Sequence, residues 1–188
     1  MKLSVALFLL LTAPSAQPQG REIVKQLDEV ARAATVMVDG DVCRRIVTAR
    51  ASEFMFSTDP KDKFLASDNY DVNAEAFIQT KKTLIRLSRL AAVPCDVNLW
   101  MPIDGHPDKI RIVIRNVHEL SQFWIWGALY QEMIPSMKQV LDTSRRVTVA
   151  QKPGWVSVVA PVFDSLGDVV AVVEVAAQQP GASHENVK

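Results

Sequence analysis

Apolar residues recur at steps of three and four through Leu27, Val30, Ala34, Val38, Val42, Ile46 and Ala49. That spacing follows the helical period and predicts one long amphipathic helix. Lys25, Asp28, Glu29, Arg32, Asp39 and Arg44 occupy its other side, so a single apolar stripe must be covered by a sheet or another helix. Gly40 weakens the helix slightly. Ser57-Thr58-Asp59-Pro60 ends it, because the residue before a proline is pushed out of the helical region. After a charged linker, Phe77, Thr80, Lys81, Leu84, Leu87, Ser88 and Ala91 predict a second amphipathic helix within Asp71 to Ala92, closed by Pro94.

The period then changes to two. Val97, Leu99 and Met101 alternate with Asp96, Asn98 and Trp100, while Ile110, Ile112 and Ile114 alternate with Lys109, Arg111 and the mixed pair Val113 and Arg115. These are two strands joined by the turn-rich segment from Pro102 to Asp108. Ser121 to Thr143 forms an aromatic crossover with Phe123, Trp124, Trp126 and Tyr130, followed by a short helical pattern through Met133, Met137 and Leu141. Arg146 to Ala150 reads as a third strand. Val156 to Phe163 and Val169 to Ala177 are β-branched runs joined by Asp164-Ser165-Leu166-Gly167-Asp168, a hairpin. The order is helix, helix, two strands, crossover and three strands, an α+β pattern without internal repeats.

The N-terminus changes where this domain is expected to work. Lys2, the apolar run from Leu3 to Ala13 and Pro14-Ser15-Ala16 have the form of a secretory signal peptide cleaved near Ala16. The run is well short of the roughly 20 residues that span a bilayer. The expected organisation is a signal segment over 1–16, one domain over 17–177 and a polar, mobile tail over 178–188. The location is then periplasmic or secreted. With 21 basic and 21 acidic residues, nothing in the charge suggests nucleic acid or an anionic membrane as partner. Cys43 and Cys95 are the only cysteines. In an oxidising compartment an even pair without metal-type spacing favours a disulfide; two buried free thiols are the alternative.

Ala-Pro-Val-Phe-Asp-Ser-x-Gly in the final hairpin, Leu-Trp-Met-Pro-x-Asp-Gly from Leu99 to Gly105, Met-Lys-Gln-Val-Leu-Asp-Thr at the end of the crossover and the long first helix together resemble extracytoplasmic PAS-like sensor domains of the Cache type, over roughly the whole predicted domain. The resemblance implies a five-stranded antiparallel sheet with one face packed on the long N-terminal helix. Its other face, roofed by the crossover, would hold a small ligand.

Within that picture, strand parity assigns side chains to faces. Val97, Leu99, Met101, Ile110, Ile112 and Ile114 suit the helical face. Asn98, Trp100, Arg111 and Arg115 then point to the ligand face, with Trp124, Trp126 and Tyr130 in the roof. The planar donor fork of arginine suits a carboxylate. The competing reading makes the basic residues a solvated strand face and the aromatics core filling. The Tyr, Arg, Trp and Asp constellation of amino-acid-binding members does not map cleanly onto this chain. Asp164 reads as a turn residue with Gly167 beside it.

Enzyme motifs are lacking. His106, His118 and His184 show no metal-ligand spacing, and there is no nucleophile elbow, phosphate-binding glycine loop or haem-attachment motif. His118 remains as a lone haem or metal ligand candidate against an ordinary surface or core histidine. No cofactor is expected. The sequence thus points to a sensor-like domain that binds a small molecule, such as a carboxylate, and signals through a membrane partner or through self-association, with homodimerisation along the first helix. Members of the family usually sit between membrane helices, so this chain reads as a stand-alone form. The rivals are a ligand-free dimerisation module and an extracytoplasmic enzyme with an unrecognised site.

Overall fold

The structure is a computed structural model that describes residues 17–57 and 70–179. The expected signal segment, the linker before Tyr70 and all but the first two tail residues lie outside the described residues. Of those two, Gln178 still belongs to the last strand, and the Gln179 N–H donates to the Gly154 carbonyl at 2.8 Å.

Where the apolar spacing predicts one long helix there are three: α1 (Gln17–Met37), α2 (Gly40–Ile46) and α3 (Ala49–Met55). The breaks are capping sites. Asp39 takes an extended backbone (φ −88°, ψ 116°) and its Oδ1 accepts from the Val42 N–H at 3.1 Å. Thr48 does the same at ψ 157°, with Oγ1 accepting from Ala51 at 3.1 Å. Each cap satisfies an amide that a new helix start leaves open, which offsets the lost helical turn. Gly40 is not a weak point inside a helix. It opens α2 against β5, where a Cβ would meet the Phe163 carbonyl oxygen at 2.4 Å and its carbon at 2.7 Å.

The remaining elements are α4 (Glu75–Ser88), β1 (Asp96–Ile103), β2 (His106–Ile114), β3 (Gln131–Glu132), α5 (Pro135–Thr143), β4 (Val147–Val149), β5 (Trp155–Phe163) and β6 (Val169–Gln178). The strands form one antiparallel sheet in the order β3-β2-β1-β6-β5-β4. It has six strands rather than five. The additional one, β3, pairs only Lys109 with Glu132 and Ile110 with Gln131, too short a run to register as a period in the sequence.

Helices α1, α2 and α4 bury Leu27, Val30, Ala34, Cys43, Ile46 and Leu84 against Val97, Leu99, Val158, Val173 and Val175 on one face of the sheet. On the other face, α5 and the crossover enclose Trp100, Ile110, Phe123, Met137, Val140, Val159 and Val172. The expected strand parity holds for β1 and fails for part of β2. Leu99 pairs with Ile114 but Trp100 with Ile112, so Val113 is an extra residue, a bulge that reverses everything before it. Ile110 and Ile112 pack on the crossover side instead of the helical side. Arg111, opposite Met101, faces the helices.

The final hairpin follows the turn reading. Asp164 Oδ1 accepts from the Leu166 and Asp168 amides at 3.0 and 2.9 Å, and Gly167 has a φ of 88°. The expected disulfide is absent: Cys43 and Cys95 are free and buried. Cys43 on α2 shares a hydrogen bond with Thr80 of α4, whereas the Cys95 thiol donates to the Ser88 carbonyl at 3.4 Å. Each thiol is thus committed to a different neighbour. Burial pushes Cys43 up to about 12 and Cys95 up to about 11.

Gly40→Ala should destabilise the fold by about 1–3 kcal/mol through overpacking on a strand backbone that cannot retreat, measured as a lower denaturant midpoint at unchanged m-value. Both thiols should resist iodoacetamide at about pH 8, where an ordinary thiol reacts readily. Denaturation without reductant should then expose two alkylatable groups; a mass showing neither would mean a bridge.

Candidate functional site

The crossover between β2 and α5 crosses the sheet on a row of buried polar side chains. Asp96, at the start of β1, accepts the Leu120 amide at 2.8 Å and the His118 amide at 3.3 Å, and His118 Nδ1 lies 2.9 Å away. Two residues on, Asn98 Nδ2 donates to the Leu120 carbonyl at 2.7 Å while its Oδ1 accepts the Asn116 amide at 3.0 Å. Asn116 Nδ2 in turn reaches the Leu84 carbonyl of α4 at 3.3 Å.

Glu174, opposite Asn98 on β6, is fully buried. Its Oε2 accepts from Ser121 Oγ at 2.6 Å and Trp100 Nε1 at 3.1 Å; its Oε1 accepts from the Gln122 amide at 2.9 Å and Ser157 Oγ at 3.0 Å. Ser121 Oγ also accepts the Phe123 and Trp124 amides at 3.1 and 3.0 Å. Gln122 Oε1 accepts from Gln151 and Lys152, both at 2.9 Å, which ties the crossover to the loop before β5. Burial raises the Glu174 pKa, and the four donors pull it partly back.

The pinned crossover leaves a cleft of about 510 Å³ between itself, α4 and the end of β2. Ile112, Phe77 and Leu129 give it apolar walls; Lys81, Arg115, Asn116 and Glu119 bring polar groups. The Arg115 guanidinium lies 4.2 Å from the Trp124 ring centroid, with Nη1 3.1 Å from Glu119 Oε1. Glu119 has a φ of 54°, a backbone state uncommon outside glycine. Lys81 Nζ sits 5.9 Å from the Phe77 ring on the opposite wall. Among the described residues its lining carries two cations, Lys81 and Arg115, and one carboxylate, Glu119.

Arg115, Trp124 and Trp126 therefore meet in one cleft. The other residues expected at the ligand face lie elsewhere. Asn98 and Trp100 are buried and spend their polar atoms inside the fold. Arg111 is on the helical side of β2, because of the bulge at Val113. Tyr130 lies against Phe56, ring centroids 4.6 Å apart, and Phe56 stacks on His106 at 4.2 Å. Sequence reasoning missed Glu119, Ser121, Gln122 and Glu174, and treated Phe77 and Lys81 only as helix positions. Glu174 alone carried a signal: it is the single charge in the apolar run from Val169 to Ala177, and a charge in a buried strand needs partners.

No family model matches the chain, and no curated protein matches it. Among solved structures the chain is similar to the periplasmic sensory domain of the Campylobacter jejuni chemoreceptor Tlp1. The identity is 10% and the TM-score 0.29, over 87% of this chain and 59% of that one. The chain thus spans less than two thirds of the structure it matches. Among the described residues no helix is long and apolar enough to cross a membrane.

The raised pKa of Glu174 fixes the sign of a pH effect. Its folded form holds a proton that the unfolded form loses near pH 4.3, so its contribution to stability declines as pH rises from there through the folded value. Unfolding by denaturant should show wild type losing ground to Glu174→Gln as pH rises above the ordinary glutamate range. A gap that moves the other way would mean that the four donors hold the carboxylate charged.

Proposed function

We propose that this is an extracytoplasmic sensor-like domain that binds a small carboxylate-bearing molecule in the crossover cleft and passes its occupancy to a partner protein or to a second copy of itself. The placement of the Arg115 guanidinium over the Trp124 ring, with Lys81 on the facing wall, carries this reading. A carboxylate takes the planar fork of Arg115 in place of Glu119, while an apolar or aromatic body lies against Trp124 and Phe77. Exchange of one carboxylate for another preserves the charge pairing, and the exposed Arg115–Glu119 pair resists little. Asn98, Trp100 and Glu174 serve as the fixed floor that positions the crossover. Occupancy is felt where Asn116 joins the crossover to α4.

A second reading, an interaction module without ligand, draws on the apolar tip of the crossover: Ile125 is 56% and Trp126 86% exposed. One calorimetric series separates the two. Small aliphatic and aromatic carboxylates titrated into the wild-type domain should give saturable binding, and Arg115→Ala should weaken it by about tenfold or more, the loss of a charge-assisted contact. Trp124→Ala should cost aromatic ligands more than aliphatic ones. Binding that ignores both substitutions, or no binding across the series, would leave the interaction module.

A further inference from the structure

Arg111 is a cation inside the fold that makes no ion pair with a carboxylate among the described residues, Asp104 acting on it from farther away. The residue is 2% exposed, and the bulge at Val113 turns it toward α3. There Nη1 lies 3.6 Å from Met55 Sδ and Nη2 3.4 Å from Ser52 Oγ. Thioether sulfur is a weak acceptor, and 3.4 Å is long for a hydroxyl. Tyr70 shares a side-chain hydrogen bond with the guanidinium and its ring centroid is 5.9 Å from the guanidinium carbon, while Nε has no hydrogen-bond partner among the described residues. Among the described residues no carboxylate stands within ion-pair distance of it. Burial lowers its pKa, yet a guanidinium starts high enough to remain charged at neutral pH.

A buried charge normally keeps its place by pairing. This one lines a cleft of about 440 Å³ formed by α2, the β1–β2 turn and the start of β6. Arg44 lines the same cleft; its Nη1 is 3.1 Å from Asp164 Oδ2, an ion pair without hydrogen-bond alignment. Asp104 at the rim is the one acidic residue in the lining among the described residues. Met101 and Val170 supply apolar walls. With Arg44 paired to Asp164, it is the unused N–H of the deeper guanidinium, Arg111, that makes the cleft a receptor for a compact anion.

We propose that this cleft is an oxyanion site in which a carboxylate or phosphate group docks on the Arg111 guanidinium, with Arg44 at its mouth. It lies on the helical side of the sheet, stands apart from the crossover cleft and does not depend on the reading given to that cleft. The bound group supplies the acceptors that Met55 and Ser52 provide poorly, so occupancy joins α3 to β2 through Arg111.

Nuclear magnetic resonance titration of the full chain with sodium acetate, and separately with sodium phosphate, tests this against sodium chloride at equal ionic strength. A saturable shift of the Arg111 Nε–H signal together with the Ser52 and Val170 amides is the expected result, and the anion that produces it identifies the class. In Arg111→Met, of similar length and no charge, the Ser52 and Val170 shifts should vanish. In Arg111→Lys, which keeps the charge but loses the fork, binding should weaken by about tenfold or more. Shifts that match chloride, that persist in Arg111→Met, or that fall only on Arg115 and Trp124 would overturn the proposal. Should the variants fail to fold, the wild-type titration decides alone, because it reads the Arg111 N–H directly.

Discussion

The buried carboxylate of Glu174 is the constraint on which the rest of this domain depends. An ionisable group at the centre of β6 is costly to bury, and that cost is met only if donors converge on it from several elements at once. They come from β1 (Trp100), β5 (Ser157) and the crossover (Ser121 and the Gln122 amide). Satisfying Glu174 therefore fixes where an otherwise irregular segment crosses the sheet. Asp96 and Asn98 extend the row and capture the same segment earlier in its path. The crossover is pinned as a roof although the part from Asn116 to Tyr130 contains no helix or strand, and the cleft with Arg115 and Trp124 lies beside it.

This arrangement also explains which residues are open to a ligand. In the PAS-like picture suggested by the sequence, the middle of the second sheet face is the binding surface. Here that middle is closed: Trp100, Phe123, Met137 and Val172 pack it, and the polar atoms beneath the roof are consumed by the roof itself. Space is left at the flank, where β3 covers two residues of β2 and ends, so the end of β2 meets α4 and the crossover without an intervening strand.

Much of the architecture was legible in the chain because burial writes itself as a period. Leu27 to Ile46, Phe77 to Leu87 and the final hairpin keep their apolar faces in the structure, and the segments occur in the expected order. The breaks at Asp39 and Thr48 were not legible. Both residues sit off the apolar stripe, so capping leaves the three-and-four spacing intact across separate helices. The site was less legible still. Trp100 and Glu174 are 74 positions apart, and Asp96 and Leu120 are 24 apart; only the folded sheet makes them neighbours. Of the residues expected to gather round a ligand, Arg115, Trp124 and Trp126 share the cleft, whereas Arg111, before the bulge, was assigned to the wrong face.

The bulge has a further effect, on charge. Arg111 lies on β2 and Arg115 just past its end, four positions on, a spacing that in an unbroken strand would put both on the same face. Val113 adds one residue between them, so that Arg111 faces the helices with Met101 while Arg115 meets Trp124 of the crossover. Their surroundings then differ in kind. Arg115 is exposed and meets an acid four residues away, a pair of small energetic worth that water or another anion readily replaces. Arg111 is enclosed among sulfur, hydroxyl and ring, where any acceptor that reaches it gains from the low polarity around it. A one-residue irregularity thus separates what would have been a single basic patch into two arginines in different surroundings. They are joined through β2, and each is held against a different helix, Arg111 against α3 and the Arg115 cleft against α4.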